Sequence, residues 1–535
     1  MGTDIGVEDA VLVVGAGPVG LTAACQLARL GVPARVVELL EHPTTQSRAV
    51  AVHARSMEML ASMDVLSRME ARGRRIPSVA LVNGEDGETR MRLDLSEART
   101  RHPYILDIAQ PDTEEILAER AAELGIVVER GVELTALAQD DEGVDVTLRV
   151  GDEERTARVG WVVGADGGHS TTRHLLGTHL EGGFHGQHFA MADVDVDTDL
   201  GPDAIRMFTH PDGMGMLFPL AEARARVMFF VDPPDEGAGE PTLEQVQALA
   251  DVRMGGRVRL SNPRWLTYFE VHHAQVPRYR HGRVFLAGDA AHIHSPAGAQ
   301  GMNTGVQDAA NLAWKLALVV RGRADADLLD TYHDERHPVG AAVVRNTTVQ
   351  TNVGTLSGVA AGVRNAVLSL ISHIRPVDRA IASQQAELMV RYRDGRLSVQ
   401  DGRHHHGAAH AGDHAPDPEG LRRPDDTPVA VEELQTRPGF LLLVRGADPA
   451  TVEELRRTLG DLGTVVGVAP TAAEADDDGV VDADDVVGRA YGLGTEGLAL
   501  VRPDGYLGLV ADTADPGVVR RYLEDVLRVT GRVAA

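Results

Sequence analysis

Hydrophobic and polar positions fall into distinct regimes along this chain. Residues 10–16, AVLVVGA, are continuously apolar, the pattern of a strand buried on both faces. Residues 34–38, ARVVE, repeat that pattern and end in an acid. Between them, 18–30 has helical spacing and Gly31 ends the helix. Residues 53–69 are amphipathic. Residues 111–124 predict another helix, with Asp112 or Thr113 as its cap. Segments 126–129, 133–139, 144–150 and 155–163 predict a β-meander. Residues 184–197, 205–208, 214–220, 225–231 and 265–271 alternate apolar with polar, as an antiparallel sheet with one wet face would, and 77–95 alternates weakly. Residues 283–287 predict a short buried strand. A loop rich in Gly, Pro and Ala follows at 295–301, then a helix with Val306, Ala309, Ala310, Ala313, Leu316 and Ala317 on one side. Segments 330–338, 339–353 and 359–389 are helical in pattern, and 401–426 is a linker rich in His, Asp, Pro and Gly. From 429 the order is strand (439–444), helix (449–462), strand (464–468), a hairpin of 497–502 and 506–510 around Pro503-Asp504-Gly505, and a last helix at 516–529.

Composition narrows the function classes. A length of 535 residues predicts three or four domains, and 43% hydrophobic with 24% charged residues is ordinary globular composition. The net charge of −27 argues against nucleic acid or an anionic membrane as partner, because phosphates need a basic footprint. One cysteine, Cys25, excludes a disulfide framework and a CxxC redox pair. No apolar run is long enough for a membrane span and no targeting signal is visible, so a cytoplasmic protein is expected. His404, His405, His406, His410 and His414 cluster without any cysteine or evident scaffold, so no metal is expected.

Three glycine turns carry the chemistry. Gly15, Gly17 and Gly20 form GxGxxG between the first strand and helix, and Glu38 closes the next strand about 20 residues on. In such a motif the first glycine makes the turn, the second admits a pyrophosphate and the third packs helix on strand, while the acid accepts from ribose hydroxyls. Arg48 and Arg55 follow as surface charges, of which Arg48 is the better placed to face the pyrophosphate. Gln110 stands just before the 111–124 helix. Asp166-Gly167, within GADGGHSTTR, again follows a buried strand and precedes a helix. Asp289 sits at the mouth of the third strand–loop–helix junction, a natural anion site. A carboxylate would repel a pyrophosphate there, so Asp289 is expected to accept from a sugar or polyol hydroxyl.

Together GAGPVG with Glu38, GADGGHSTTR and GDAAHIHSPAGAQGMNTGVQDAANLAWKL resemble the para-hydroxybenzoate hydroxylase-like family of FAD-dependent aromatic monooxygenases, over roughly the first 345 residues. The C-terminal order resembles a thioredoxin-like domain, which without cysteine cannot do thiol chemistry. That layout resembles the phenol hydroxylase branch and the hydroxylases of aromatic polyketides. The resemblance implies an α/β fold. Its parts are a Rossmann-like FAD-binding domain (1–180 and 276–345), an inserted antiparallel β-sheet substrate domain (181–275, with 77–100 contributing), a helical segment (346–400) and the thioredoxin-like domain (427–535). It implies that Gly15, Gly17 and Gly20 hold the FAD pyrophosphate, Glu38 the adenosine ribose and Asp289 the ribityl chain. Arg48 and Gln110 touch FAD. Asp166 links FAD and nicotinamide contacts. Pro296, Gly298, Met302 and Asn303 lie beside the isoalloxazine. NADPH or NADH reduces the flavin, O2 forms a C4a-hydroperoxide, and the substrate ring takes the distal oxygen, so no side-chain triad is required and no catalytic side chain is assigned. Arg206, Met216, Phe218, Met228 and His272 are pocket candidates, although ordinary sheet core accounts for any one of them. The resemblance implies a small aromatic substrate and leaves a homodimer open. Baeyer–Villiger insertion, antibiotic inactivation and non-catalytic flavin binding are alternatives on the same fold. A flavin halogenase is disfavoured, since Trp161, Trp265 and Trp314 lie in no WxWxIP segment.

Overall fold

The computed structural model describes residues 11–529 except 48, 236, 238, 294–299, 355–386 and 403–406. The expected 359–389 helix, Arg48, Pro296, Gly298 and His404–His406 therefore lie wholly or mostly outside the described residues.

Val11–Val14 is the centre of a six-stranded sheet. Parallel partners are Ala34–Glu38 on one side and Trp161–Gly164 on the other. Val128–Arg130 and Val284–Leu286 extend the sheet, and Arg280–His281 ends it as an antiparallel edge. The four valine and leucine side chains of Val11–Val14 split by parity, as strand geometry requires. Val11 and Val13 pack under the helices, while Leu12 and Val14 pack on a small antiparallel sheet, Val132–Gln139, Val144–Val150 and Glu153–Val159. The expected meander is thus only its middle part. Trp161–Gly164, apolar and buried throughout, leaves it for the interior of the parallel sheet, and the half-buried Val128–Arg130 leaves it to form that sheet's edge. Helices Pro18–Arg29, Gln110–Glu123 and Gly301–Val320 cover the other face. The second begins at Gln110 with no side-chain cap, so neither Asp112 nor Thr113 serves as one.

A second sheet of eight strands runs in the order His292–Ile293, Val258–Gln275, Glu181–Thr198, Arg224–Val231, Gly215–Pro219, Ala204–Thr209, Ser78–Asn83, Thr89–Asp94. It is not purely antiparallel, since Ala204–Thr209 and Ser78–Asn83 pair in parallel. Nor does it have a wet face. Ala192, Val194, Phe208, Leu217, Val227 and Phe229 point away from the first sheet and are covered by Val246 and Ala250 of a helix, Leu243–Arg253, that the sequence pattern did not reveal. The helices expected at 330–338 and 339–353 are one, Asp330–Gly354, with Pro338 inside it.

The C-terminal sheet runs Val399–Asp401, Leu507–Ala511, Gly497–Val501, Phe440–Arg445, Gly463–Ala469, Val480–Val481. Its helix-covered face shares one core with Trp314, Leu318, Ala324 and Leu328 of the first unit. The expected linker is not a loose tether: Ala411 and Ala415 are buried and His414 Nε2 meets Glu58 at 2.7 Å.

Candidate functional site

Gly15 adopts φ +103°, which side-chain-bearing residues rarely tolerate, and its N–H donates to Val37 O at 2.8 Å. A Cβ on Gly20 would stand 2.0 Å from Gly15 O, so the helix sits directly on the turn. Gly17 is different. It begins the Pro18–Arg29 helix in extended conformation, has no side-chain cap, and a Cβ there would meet nothing within 4 Å. Free helix N–H groups therefore face open space, the requirement for a bound phosphate. Glu38 reaches back to this loop, accepting from Ala16 N–H at 2.7 Å and Leu40 N–H at 3.0 Å.

The other two turns are locked to the first. Asp166 builds its own turn, accepting from Ser170 Oγ at 2.6 Å and from Thr172 N–H at 2.9 Å. The residues after it, Gly167 and Gly168, face the cavity. Buried Arg173 donates to Gly168 O at 2.6 Å and Ala290 O at 3.2 Å, buckling the second turn to the third. Gly288, at φ +59°, and Gly305 both close against Val19 of the first helix. Asp308, fully buried, accepts from Gly288 N–H (3.2 Å), His292 Nε2 (2.7 Å) and Arg336 Nε (2.7 Å). Burial would raise its carboxyl, but Arg336 and His292 hold it below the usual carboxylate range. Asp289 is thereby fixed at the cavity wall.

One cavity of about 640 Å³ runs from Gly17 past Gln110, Asp289 and Met302 to Phe218, Met228 and His272 on the second sheet. Gln110 is braced there, accepting from Ala49 N–H at 3.0 Å and donating to Glu114 at 2.8 Å. Burial pushes the Glu114 carboxyl up to about 7. Asn303 is a staple rather than a wall residue: it accepts from His53 N–H and donates to Ala51 O, both at 2.9 Å, tying the helix start to the 51–52 strand.

Two pocket candidates fall elsewhere. Arg206 stands opposite Leu217, whose side chain belongs to the outer core, so Arg206 faces away from the cavity and ties down Gly201, Asp203 and Ala204. Met216 is on the inner face but is core behind the wall, 1% exposed. Arg55 is neither surface charge nor phosphate ligand. It is buried, donating to Asp504 O and pairing with Glu58. The sequence reading overlooked Arg226 and Trp265, both in the cavity wall. The signal was available: Arg226 shares its strand face with Met228, a charge where alternation demands an apolar residue. Cys25 lies in the core, where burial pushes its thiol up to about 12 and makes it inert.

The left-handed turn at Gly15, the open backbone at Gly17 and a chamber continuous with Gly17 fit a dinucleotide cofactor. Among the described residues no cluster of metal ligands occurs, and no helix is long and apolar enough to cross a membrane.

A family model described as FAD binding domain matches residues 8–347. The 6-methylpretetramide 4-monooxygenase of Streptomyces rimosus is 38% identical over 517 residues, 93% of this chain and 90% of that protein. Among solved structures, an anhydrotetracycline hydroxylase from Streptomyces rimosus aligns with TM-score 0.77 at 33% identity, over 97% of this chain and 98% of that one. Aklavinone-11 hydroxylase, solved with FAD and aklavinone, aligns with TM-score 0.78 at 26% identity, over 98% and 100% of the two chains. The matched span contains all three glycine turns and the chamber they border, and the chain belongs to the FAD-binding-domain family as an FAD-dependent monooxygenase.

Proposed function

We propose that this enzyme hydroxylates a polycyclic aromatic of the polyketide type, consuming NADPH or NADH and O2. The observation that carries the reading is the single cavity joining a phosphate-accepting helix start to a sheet face of Phe218, Met228, Trp265 and Phe269. The relatives named for tetracycline- and aklavinone-type substrates support it. In this reading Gly15, Gly17 and Gly20 cradle the FAD pyrophosphate, Glu38 takes the adenosine ribose, Asp289 takes the ribityl hydroxyls, and Gln110 and Met302 border the ring. Bound FAD supplies the redox chemistry that activates O2. The chain's own part is to hold the substrate ring flat against the apolar wall, exclude water, and offer backbone N–H groups at the Gly301–Val320 helix start to negative charge on the flavin. The C-terminal unit is read as a thioredoxin-like fold that braces this helix. Dependence on reduced nicotinamide nucleotide fits a cytoplasmic setting.

The test is a panel of polycyclic phenols and quinones offered to the yellow holoenzyme. Stimulated NADPH oxidation with a product heavier by one oxygen is expected, and the position of that oxygen separates hydroxylation from ring insertion. Stable FAD binding without any stimulated turnover or product would leave a flavin-binding protein instead.

A further inference from the structure

The sheet face over the chamber mixes apolar side chains with Thr267, Glu270 and His272, and in one row it carries a buried ion pair. Cross-strand register sets Phe218, Arg226, Asp193 and Trp265 side by side on four neighbouring strands. Arg226 is 2% exposed and Asp193 equally buried. Nε donates to Asp193 Oδ1 at 2.7 Å and Nη2 to Oδ2 at 2.9 Å, a bidentate clamp that fixes the guanidinium plane. The Trp265 ring centre lies 5.6 Å from the guanidinium carbon. An ion pair so buried adds little stability over apolar residues of the same volume, so packing alone gives no reason for it on this wall. A guanidinium stays protonated at every working pH and carries five donors, of which Asp193 takes two. Nη1 makes no hydrogen bond among the described residues, and Arg226 lines the chamber. A second carboxylate in range, Asp107, is fully buried with neither oxygen hydrogen-bonded. Burial raises its carboxyl well above the ordinary value, against the lowering pull of Arg226 and Arg74.

We infer that Arg226 reads an ionisable oxygen on the edge of the substrate ring: Nη1 donates to a phenolate or enolate, while Phe218, Met228 and Trp265 contact the ring faces and Asp193 is the positioning residue. The inference rests on the proposed aromatic substrate, and names which substituent selects it.

The experiment uses the FAD holoenzyme with two probes, alizarin and its dimethyl ether, binding followed by flavin absorbance. The double variant Arg226→Met with Asp193→Asn removes donor and partner together and leaves no orphan buried charge; Arg226→Lys keeps the charge without the fork. Alizarin affinity is expected to fall about ten- to hundredfold in the double variant, the scale of one charged hydrogen bond, with a smaller loss in Arg226→Lys. Ether affinity should change by less than about threefold, since its apolar contacts are retained. The phenolate band of bound alizarin, present in the wild type below the pH at which free alizarin ionises, should vanish in the double variant and persist in Arg226→Lys, whose ammonium keeps the positive charge. Equal losses for both probes would make Arg226 merely structural, and unchanged alizarin binding would remove it from recognition. Wild-type protein that takes up FAD but binds neither probe would overturn the aromatic-substrate reading itself, and this inference with it.

Discussion

Gly17 and Gly20 lie one helical turn apart and answer different demands. Gly17 borders open space, whereas a methyl on Gly20 would stand 2.0 Å from Gly15 O. Gly20→Ala must pry the helix off the turn and should cost about 1–3 kcal/mol of stability even without cofactor. Gly17→Ala should melt with the wild type as apoprotein and lose about tenfold or more in FAD affinity, because the added methyl meets only the cofactor. Thermal melts of the apoproteins and FAD titrations separate the two, and a Gly17→Ala apoprotein that melts early would place protein, not cofactor, against that face. Asp107 offers a pH signature. Its folded-state pKa is raised above the unfolded value, so its contribution is present below the ordinary carboxylate range and is lost as pH rises toward the folded pKa. Asp107→Asn removes that slope. The melting advantage of the variant over the wild type should therefore grow as pH rises above the ordinary carboxylate range, by up to about 1.4 kcal/mol per pH unit; a constant difference would mean that Asp107 is ionised in the fold.

Among elements, the Gly301–Val320 helix connects most of the structure. Its start stands at the chamber, Asp308 holds the Asp289 turn, and its second half enters a buried charge cluster. There Lys315 Nζ meets Glu335 at 2.8 Å, Arg502 grips Glu335 at 2.7 and 2.8 Å and Asp504 at 2.6 Å, and Asn311 donates to Asp504 at 2.9 Å. Arg502→Met takes the guanidinium from two buried carboxylates, leaving Glu335 with Lys315 and Asn311 and Asp504 with Asn311, and should cost about 3–5 kcal/mol in chemical denaturation. A loss under about 1 kcal/mol would mean that the cluster is solvated. This helix was legible in sequence because its apolar positions recur at helical spacing over about three turns, from Val306 to Ala317, and the Pro503-Asp504-Gly505 hairpin because its turn residues dictate the bend. The docking of one on the other was not, since a charge cluster reads locally as solvated surface. Long strands were legible only in part. Register shifts between Phe184 and His188 and between Asp193 and Asp195 break the alternation inside Glu181–Thr198 and its partner Val258–Gln275. Arg206 was chosen over Arg226 for a related reason: hydrophobic neighbours identify a strand but not which parity faces the ligand, and only the pairing of Arg206 with Leu217 decides it.

At the scale of the molecule, the question is whether the C-terminal unit is an appendage or part of one cooperative structure. Composition read 401–426 as a linker, because the partners that bury Ala411 and Ala415 lie further along the chain, between Val429 and Val510, and leave no local trace. In the fold, Trp314 and Leu318 are core to Phe440, Leu442 and Leu500, and Arg29 Nη2 donates to Thr436 O at 2.8 Å. Glu58 is clamped between Arg55, at 2.6 Å, and His414, at 2.7 Å. Burial alone would raise the Glu58 carboxyl, but His414 and Arg55 outweigh it and hold it at about 2. A depressed acid contributes stability above its unfolded pKa, near 4.5, and loses it as pH falls through about 2. Glu58→Gln should therefore cost roughly 3 kcal/mol at neutral pH, and the gap to wild type should close on acidification. A core shared across the junction leaves no partly unfolded state that buries both halves. Flavin release and the fluorescence of Trp265 in the chamber and Trp314 at the junction should then follow one transition, in heat and in acid. If the Trp314 signal moved first while flavin stayed bound, the C-terminal unit would be separable and the strut assigned to it would be wrong.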